Sequence, residues 1–271
     1  MSGLGAERAL RAALVEISHR LHRKGWVANH DGNVSVRAGA GRFLATPTAF
    51  SKATVEVDDI LTIGGDGAGA GAGKVLAGKH RVFSEWNLHA TCYARPDVMA
   101  VVHAHPQMAT GFSISGARFL ERPFIAEAVV SLGPGIPTVP FAMPGAAAAA
   151  ALAPFWAEHD AVLLANHGVI TVGADLEQAY LRMELVEHLA NIAYFAHHTG
   201  GIKPLPEAAL APLLEARKKA GLGPAARAPG NPAVLATAAT PVPTPSAASG
   251  RPDAAALAQI IRDELTKALQ K

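Results

Sequence analysis

The 271-residue chain has one cysteine, Cys92, so no disulfide can form within it, and a reducing cytoplasm suits it. It has no apolar run of the roughly 18 residues that a membrane-spanning helix needs. Met1 to Arg11 lacks the charged-then-apolar pattern of a signal segment. No sign of charge dominates: 24 basic residues against 22 acidic ones leave a net +2, which gives no reason to expect nucleic acid or a membrane surface as partner. There is no internal repeat. What the chain does have is 50% hydrophobic residues, enough for one large domain plus a tail or for two small domains. It also has 12 histidines, a count that points to metal or acid–base chemistry.

Hydrophobic periodicity predicts a helix over 6–24, with Leu10, Leu14, Ile17 and Leu21 on one stripe and Gly25 as its stop. Asn29 to Arg37 reads as a turn feeding a strand, in which Val34 and Val36 alternate with Ser35 and Arg37. Phe43–Ala45 could pair with it, and Val55–Ile63 is a further strand candidate. Residues 64–73 are Gly and Ala around one Asp. They fail the phosphate-loop pattern, because Ala68 stands where the first Gly is needed and Val75 follows Lys74, so they read as a turn between strands. Ser84 is a candidate cap for a helix to Ala94. Val98–Ala104 reads as a buried strand, and Ala146–Ala157 as a helix that Pro154 kinks or ends. Val162–Ala165 and Val169–Val172 read as short strands. Asp175, with Gln178 in the capping-box position, starts a long helix to His197, and a last helix covers 206–220. Residues 223–252, rich in Ala, Pro, Gly, Ser and Thr, read as a disordered linker. Residues 253–271 read as an amphipathic helix with Leu257, Ile261 and Leu265 on its apolar side.

Four local patterns carry chemistry. His103 and His105 sit two apart at the end of an apolar strand, so both imidazoles face the same way, as two zinc ligands or two hydrogen-bonded histidines would. His167, in the tight turn Asn166-His-Gly168, is unremarkable alone but would complete three ligands with an open position. Glu85, beside Trp86 at a helix start, is either part of a cap or a carboxylate placed for metal binding and proton transfer. Asp31-Gly-Asn-Val-Ser35 is either a hairpin turn or an anion cradle of backbone N–H groups, the Asn33 amide and the Ser84 helix start.

Gly32-Asn-Val-Ser-Val-Arg37, Thr46-Pro-Thr48, Ser84-Glu-Trp86, Val102-His-Ala-His105 and Asn166-His-Gly168 occur in that order. Together they resemble the class II aldolase/adducin family, its fuculose-phosphate aldolases above all, over residues 5–222. The resemblance implies a three-layer α/β/α fold with a mostly antiparallel central sheet, and a homotetramer with active sites at subunit contacts. It implies Zn²⁺ or another divalent transition metal on His103, His105 and His167. Glu85 would be the catalytic residue and a resting ligand. Gly32, Asn33, Thr48, Ala49 and Ser84 would bind phosphate. The implied reaction is retro-aldol cleavage of a ketose 1-phosphate to dihydroxyacetone phosphate and an aldehyde such as lactaldehyde, with the metal as Lewis acid. Three positions depart from the family pattern. Phe83 replaces a second phosphate-binding Ser, Ala49 replaces a Gly, and Ala220 stands where a C-terminal Tyr is expected.

The same chemistry would serve a pentulose-phosphate 4-epimerase, although those carry Asp where this chain has Glu85, or a decarboxylase of phosphorylated sugar acids. A non-catalytic adducin-like module would not need the three histidines. The linker and helix at the C-terminus resemble the encapsulation peptides of bacterial microcompartment cargo, which implies a shell protein as partner of 253–271 by helix-in-groove docking.

Overall fold

The computed structural model of the protein describes residues 3–65 and 73–223. The linker from residue 224 onward and the terminal helix expected from the sequence lie outside the described residues. An eight-stranded sheet is formed by β1 (Asn33–Gly39), β2 (Arg42–Ala45), β3 (Leu61–Gly64), β4 (Lys74–Ala77), β5 (Ala100–Ala104), β6 (Thr138–Val139), β7 (Ala161–Leu164) and β8 (Gly168–Gly173). Its order is β4-β3-β2-β1-β5-β8-β7-β6. Every pairing is antiparallel except β6 with β7. The helices are α1 (Gly3–Arg23), α2 (Trp86–Tyr93), α3 (Gln107–Ser115), α4 (Ala126–Leu132), α5 (Ala146–Leu152), α6 (Leu176–Thr199) and α7 (Glu207–Lys219). None among the described residues is long and apolar enough to cross a membrane.

The period-2 alternation of the strands makes two cores and hence three layers. Val34, Val36, Leu44, Ala100, Val102 and Val169 pack with Leu14, Leu21, Met183 and Val186 of α1 and α6. Phe43, Ile63, Val101, Val162, Ile170 and Val172 pack on the other face with Trp86 and Leu88 of α2 and Leu152 of α5. The positions between the β1 and β5 valines of the first core, Asn33, Ser35 and His103, therefore belong to the α2 side. Asn33 lies directly opposite His103 in the β1–β5 register. This pairing puts the two most distinctive polar residues of the strands beside one another.

Two expectations change. Val55–Ile63 is not one strand, because Val57–Asp59 forms a 3-10 turn and pairing begins only at Leu61. Asp59 Oδ2 accepts the Glu56 N–H at 3.0 Å, a local bond that competes with the sheet ladder. Ser84 is not the helix cap either. Helix α2 starts at Trp86, Glu85 holds the cap position, and no side chain caps it. The Glu85 carboxylate makes no capping bond and accepts from the Asn33 amide instead. β3 pairs antiparallel with β4, and residues 66–72 of the turn expected between them lie outside the described residues. Helix α5 stops at Leu152, and Pro154 lies in the 3-10 turn that follows it.

Candidate metal centre and active site

His103 is the penultimate residue of β5, and its ring is fully buried. His105 continues the extended chain, with its N–H bonded to Trp26 O at 2.8 Å. His167 sits in the turn from β7 to β8, where Asn166 adopts φ +57°, a left-handed conformation that Asn tolerates better than most residues. Two glycines let these segments close up. A Cβ on Gly32 would lie 2.9 Å from His103 O, and one on Gly168 would lie 2.5 Å from His105 Cδ2. The three imidazoles converge, with ring centroids 4.7–5.1 Å apart and their ligand atoms all within 4.8 Å of one another.

The hydrogen bonds around the rings decide what this cluster suits. His103 Nδ1–H donates to Val169 O at 2.9 Å, which leaves Nε2 bare in the neutral ring. His105 Nδ1 lies 3.5 Å from Asp31 Oδ2, with its Nε2 turned toward the cluster. These two Nε2 atoms are 3.2 Å apart. Glu85 Oε1 accepts from His167 Nε2 at 2.8 Å and lies 3.4 Å from His103 Nε2. Three imidazoles and a carboxylate oxygen therefore converge on one space, and outer partners such as Val169 O that fix a ring's orientation are the usual support of a metal ligand set. The donor set thus fits a divalent cation with three imidazoles and room for substrate. Burial opposes ionisation of Glu85, yet His103 and His167 outweigh it and hold the carboxyl well below the ordinary carboxylate range. Burial and then the neighbouring His103 and His167 push His105 down to about 4.

The expected anion-binding residues sit at the start of β1, on the turn after β2 and just before α2. Thr46 Oγ1 accepts from Val34 N–H, and Thr48 N–H donates to Arg81 O at 3.0 Å, so the 46–49 turn is tied to β1 and to the segment leading to Ser84. Thr48 therefore has its hydroxyl, not its amide, to offer. Ala49 is exposed and held at φ +59°. Ser84 is exposed. With Glu85, Asn166 and His167 it lines a cavity of about 230 Å³ whose lining also includes the apolar Leu88 and Val139. Asn33 is placed differently from a free phosphate contact, because its Nδ2 donates to Glu85 Oε2 at 2.6 Å. Phe83 is buried against Trp86 and His89.

Sequence reasoning missed the polar chain behind Asn33. His89 Nε2 is 2.5 Å from Asn33 Oδ1, His89 Nδ1 is 2.7 Å from Ser35 Oγ, and Ser35 Oγ is 2.7 Å from Tyr93 OH. Two spacings signal it: Glu85, His89 and Tyr93 recur every four residues, and Ser35 lies two after Asn33. Lys52 is a further buried group, whose ammonium donates to Phe50 O at 2.9 Å and His30 O at 3.3 Å. It ties together the two turns that carry Gly32 and Thr48. Burial pushes its pKa down to about 8, against the pull of Asp31 and Glu85.

An α/β/α sandwich with a mostly antiparallel sheet, holding three imidazoles and a carboxylate beside a substrate-sized cavity, defines a metal-centre enzyme scaffold. Residues 12–194 match the Class II Aldolase and Adducin N-terminal domain family. The chain belongs to that family and is an enzyme of the class II, divalent-metal-dependent aldolase type. It is 30% identical to the L-fuculose phosphate aldolase of Methanococcus maripaludis (strain C7) over 185 residues, 68% of this chain and 96% of that one. It is also 30% identical to the 3-oxo-tetronate 4-phosphate decarboxylase of Escherichia coli K12 over 193 residues, 69% and 87% of the two chains. The crystal structure of YgbL from Escherichia coli superposes with a TM-score of 0.69 at 29% identity, covering 77% of this chain and 99% of that one.

Proposed function

We propose that this enzyme cleaves a ketose 1-phosphate of the fuculose or rhamnulose type to dihydroxyacetone phosphate and an aldehyde such as lactaldehyde. The observation that carries the reading is Glu85 Oε1, set against His103 and His167 at the wall of the cavity. In the cleavage the C4 hydroxyl loses its proton, the C3–C4 bond breaks with its electron pair left on C3, and C3 gains a proton. Glu85 carries that proton at the donor carbon, the closest placed carboxylate able to do so. His103, His105 and His167 hold the cation, for which Zn²⁺ is the proposed identity. When bound, it supplies Lewis-acid stabilisation of negative charge on the substrate's oxygens. Gly32, Asn33, Thr48, Ala49 and Ser84 flank the substrate's phosphate, with Lys52 beneath them adding positive charge.

A decarboxylase of a 3-oxo sugar-acid phosphate is the second reading, favoured by the equal identity to the Escherichia coli decarboxylase. It too breaks a carbon–carbon bond and reprotonates the carbon left behind, so the same residues serve it. The test is a product screen with zinc-loaded full-length protein. Dihydroxyacetone phosphate released from a ketose 1-phosphate, and absent with His105→Ala, is the expected result. Carbon dioxide from a 3-oxo acid phosphate without that product, or an epimer without cleavage, overturns it.

The reading carries with it a cytoplasmic homotetramer, and cargo association with a microcompartment shell through residues 253–271. Deleting 223–271 should leave activity intact and abolish co-purification with shell protein. Loss of the folded enzyme on that deletion would assign the segment a structural role instead.

A further inference from the structure

We propose that His89 is a positioning residue: its Nε2–H fixes the Asn33 amide, and the amide in turn locks the Glu85 carboxylate so that one oxygen faces the histidine cluster. The inference rests on the role given to Glu85 above. The argument starts from what each group can donate. A carboxylate only accepts, so the Asn33 group facing Glu85 Oε2 at 2.6 Å must be the amide nitrogen. That leaves Asn33 Oδ1 facing His89 Nε2 at 2.5 Å, and an amide oxygen requires a donor, so Nε2 bears the proton.

Helix α2 buries His89 completely between Phe83 and Trp86, where a charged ring is disfavoured. A neutral ring with Nε2–H has a bare Nδ1, which takes the Ser35 hydroxyl proton at 2.7 Å. Having spent its single proton, Ser35 Oγ accepts from Tyr93 OH, also at 2.7 Å. Each of the four bonds is thus forced in direction: Tyr93 to Ser35, Ser35 to His89, His89 to Asn33, Asn33 to Glu85. The donors all run toward the carboxylate. Glu85 Oε2 is occupied at the end of this chain, which leaves Oε1 as the oxygen set against His103 and His167. An aligned chain of hydrogen bonds strengthens its last member, so rotation of the carboxylate away from the centre is resisted from behind.

The first test reads the wild-type protein without metal, by ¹⁵N NMR of the imidazole rings. His89 is expected as a neutral ring with the proton on Nε2 and an accepting Nδ1 at pH 7. A ring protonated on Nδ1 alone, or a charged ring, overturns the proposal, and this arm does not depend on which substrate is correct. The second test is kinetic, on metal-loaded full-length variants. His89→Leu removes the donor and should lower kcat about 10–100-fold with KM nearly unchanged, while His89→Gln, which can donate and accept in the same places, should recover most of it. Metal content should stay at the wild-type level in both. Unchanged kcat in His89→Leu, or equal losses in the Leu and Gln variants, would overturn the positioning role. A wild type that releases no dihydroxyacetone phosphate but decarboxylates a 3-oxo acid phosphate would change the substrate and leave this prediction to be read on that reaction.

Discussion

The molecule buries two clusters of charged and polar groups that look alike in a list of residues and differ in how their partners balance. Around Asp160, which is fully buried, Arg95 Nη2 donates to Oδ1 at 2.7 Å, while Arg182 and Arg217 both reach Oδ2. Each guanidinium also donates to backbone oxygens: Arg95 to Trp156 O and His159 O, Arg182 to Val172 O, and Arg217 to Val130 O. Donors meet acceptors throughout. Around Glu85, three imidazoles and a carboxylate oxygen converge on one space instead, each able to offer a lone pair to a cation. Burial of charge is therefore not what marks the functional centre. What marks it is the convergence of side chains that can each ligate a cation. The saturated cluster serves the fold, joining α6 and α7 to the turn before β7.

Removing the centre of each cluster should separate them. Asp160→Ala leaves three guanidinium groups without their shared counter-charge and should cost about 3–5 kcal/mol in urea unfolding, while any folded fraction keeps its metal. His105→Ala should behave in the opposite way. It removes one of the crowded acceptors from a partly exposed site, so metal-free stability should change by less than about 1 kcal/mol, while bound metal measured by elemental analysis falls steeply. A large loss of stability in His105→Ala with metal retained would erase the distinction.

Glu85→Gln sharpens the contrast at a single residue. The amide is close in shape but cannot carry a proton at the donor carbon, so kcat should fall about 10²–10⁴-fold. The fold should persist, because Trp86 and Leu88 still anchor α2. Retention of more than about a tenth of kcat would remove Glu85 from the role of proton carrier.

The centre was more legible in the sequence than its surroundings, for a physical reason. The ligands lie in short motifs whose strand and turn geometry is local, so a spacing of two at His103 and His105 already fixes a common face. The Ala146 helix and the Asp175 cap are likewise local; Asp175 Oδ1 accepts the Gln178 N–H at 2.7 Å. Helix α3 left no such trace. Its first N–H groups, of Met108 and Ala109, are accepted by the Glu187 carboxylate of α6, roughly 80 positions later in the chain. A cap supplied from so far away cannot be read from spacing. The Asn33–His89–Ser35–Tyr93 chain was half legible, because each strand or helix shows its own periodicity but not the register that brings them together.

Acid stability probes the neutral side of this comparison. Burial, and then the charge of His103, push His89 down to about 3. The folded state keeps the ring neutral, whereas the unfolded chain takes up a proton below about pH 6.5. The unfolded state binds more protons across that window, so stability is intact above it and falls as the pH drops toward 3. The loss attributable to His89 between pH 6.5 and 4.5 is roughly 2 kcal/mol. His89→Gln should flatten that part of the pH–stability curve measured by urea unfolding, and an unchanged slope would mean that the wild-type ring is charged.

The smallest expected effect lies at Ala49, where the resemblance read from the sequence leads one to expect a Gly. Ala49 is held at φ +59°, in the left-handed region that a β-carbon disfavours by about 1–2 kcal/mol. The strain is tolerated because Thr46 and Thr48 are pinned on one side by Val34 and Arg81, and Lys52 is pinned on the other by His30 and Phe50. Glycine would relieve the strain in the folded state but would also loosen the unfolded chain, which offsets part of the gain. Ala49→Gly should therefore stabilise the protein by about 0.5–1 kcal/mol in urea unfolding. If these turns do hold the substrate's phosphate, the change should move KM and leave kcat alone, since it touches neither the histidines nor Glu85. A shift in kcat with constant KM would tie this turn to the chemistry at the metal centre and would blur the line between a rim that binds and a centre that reacts.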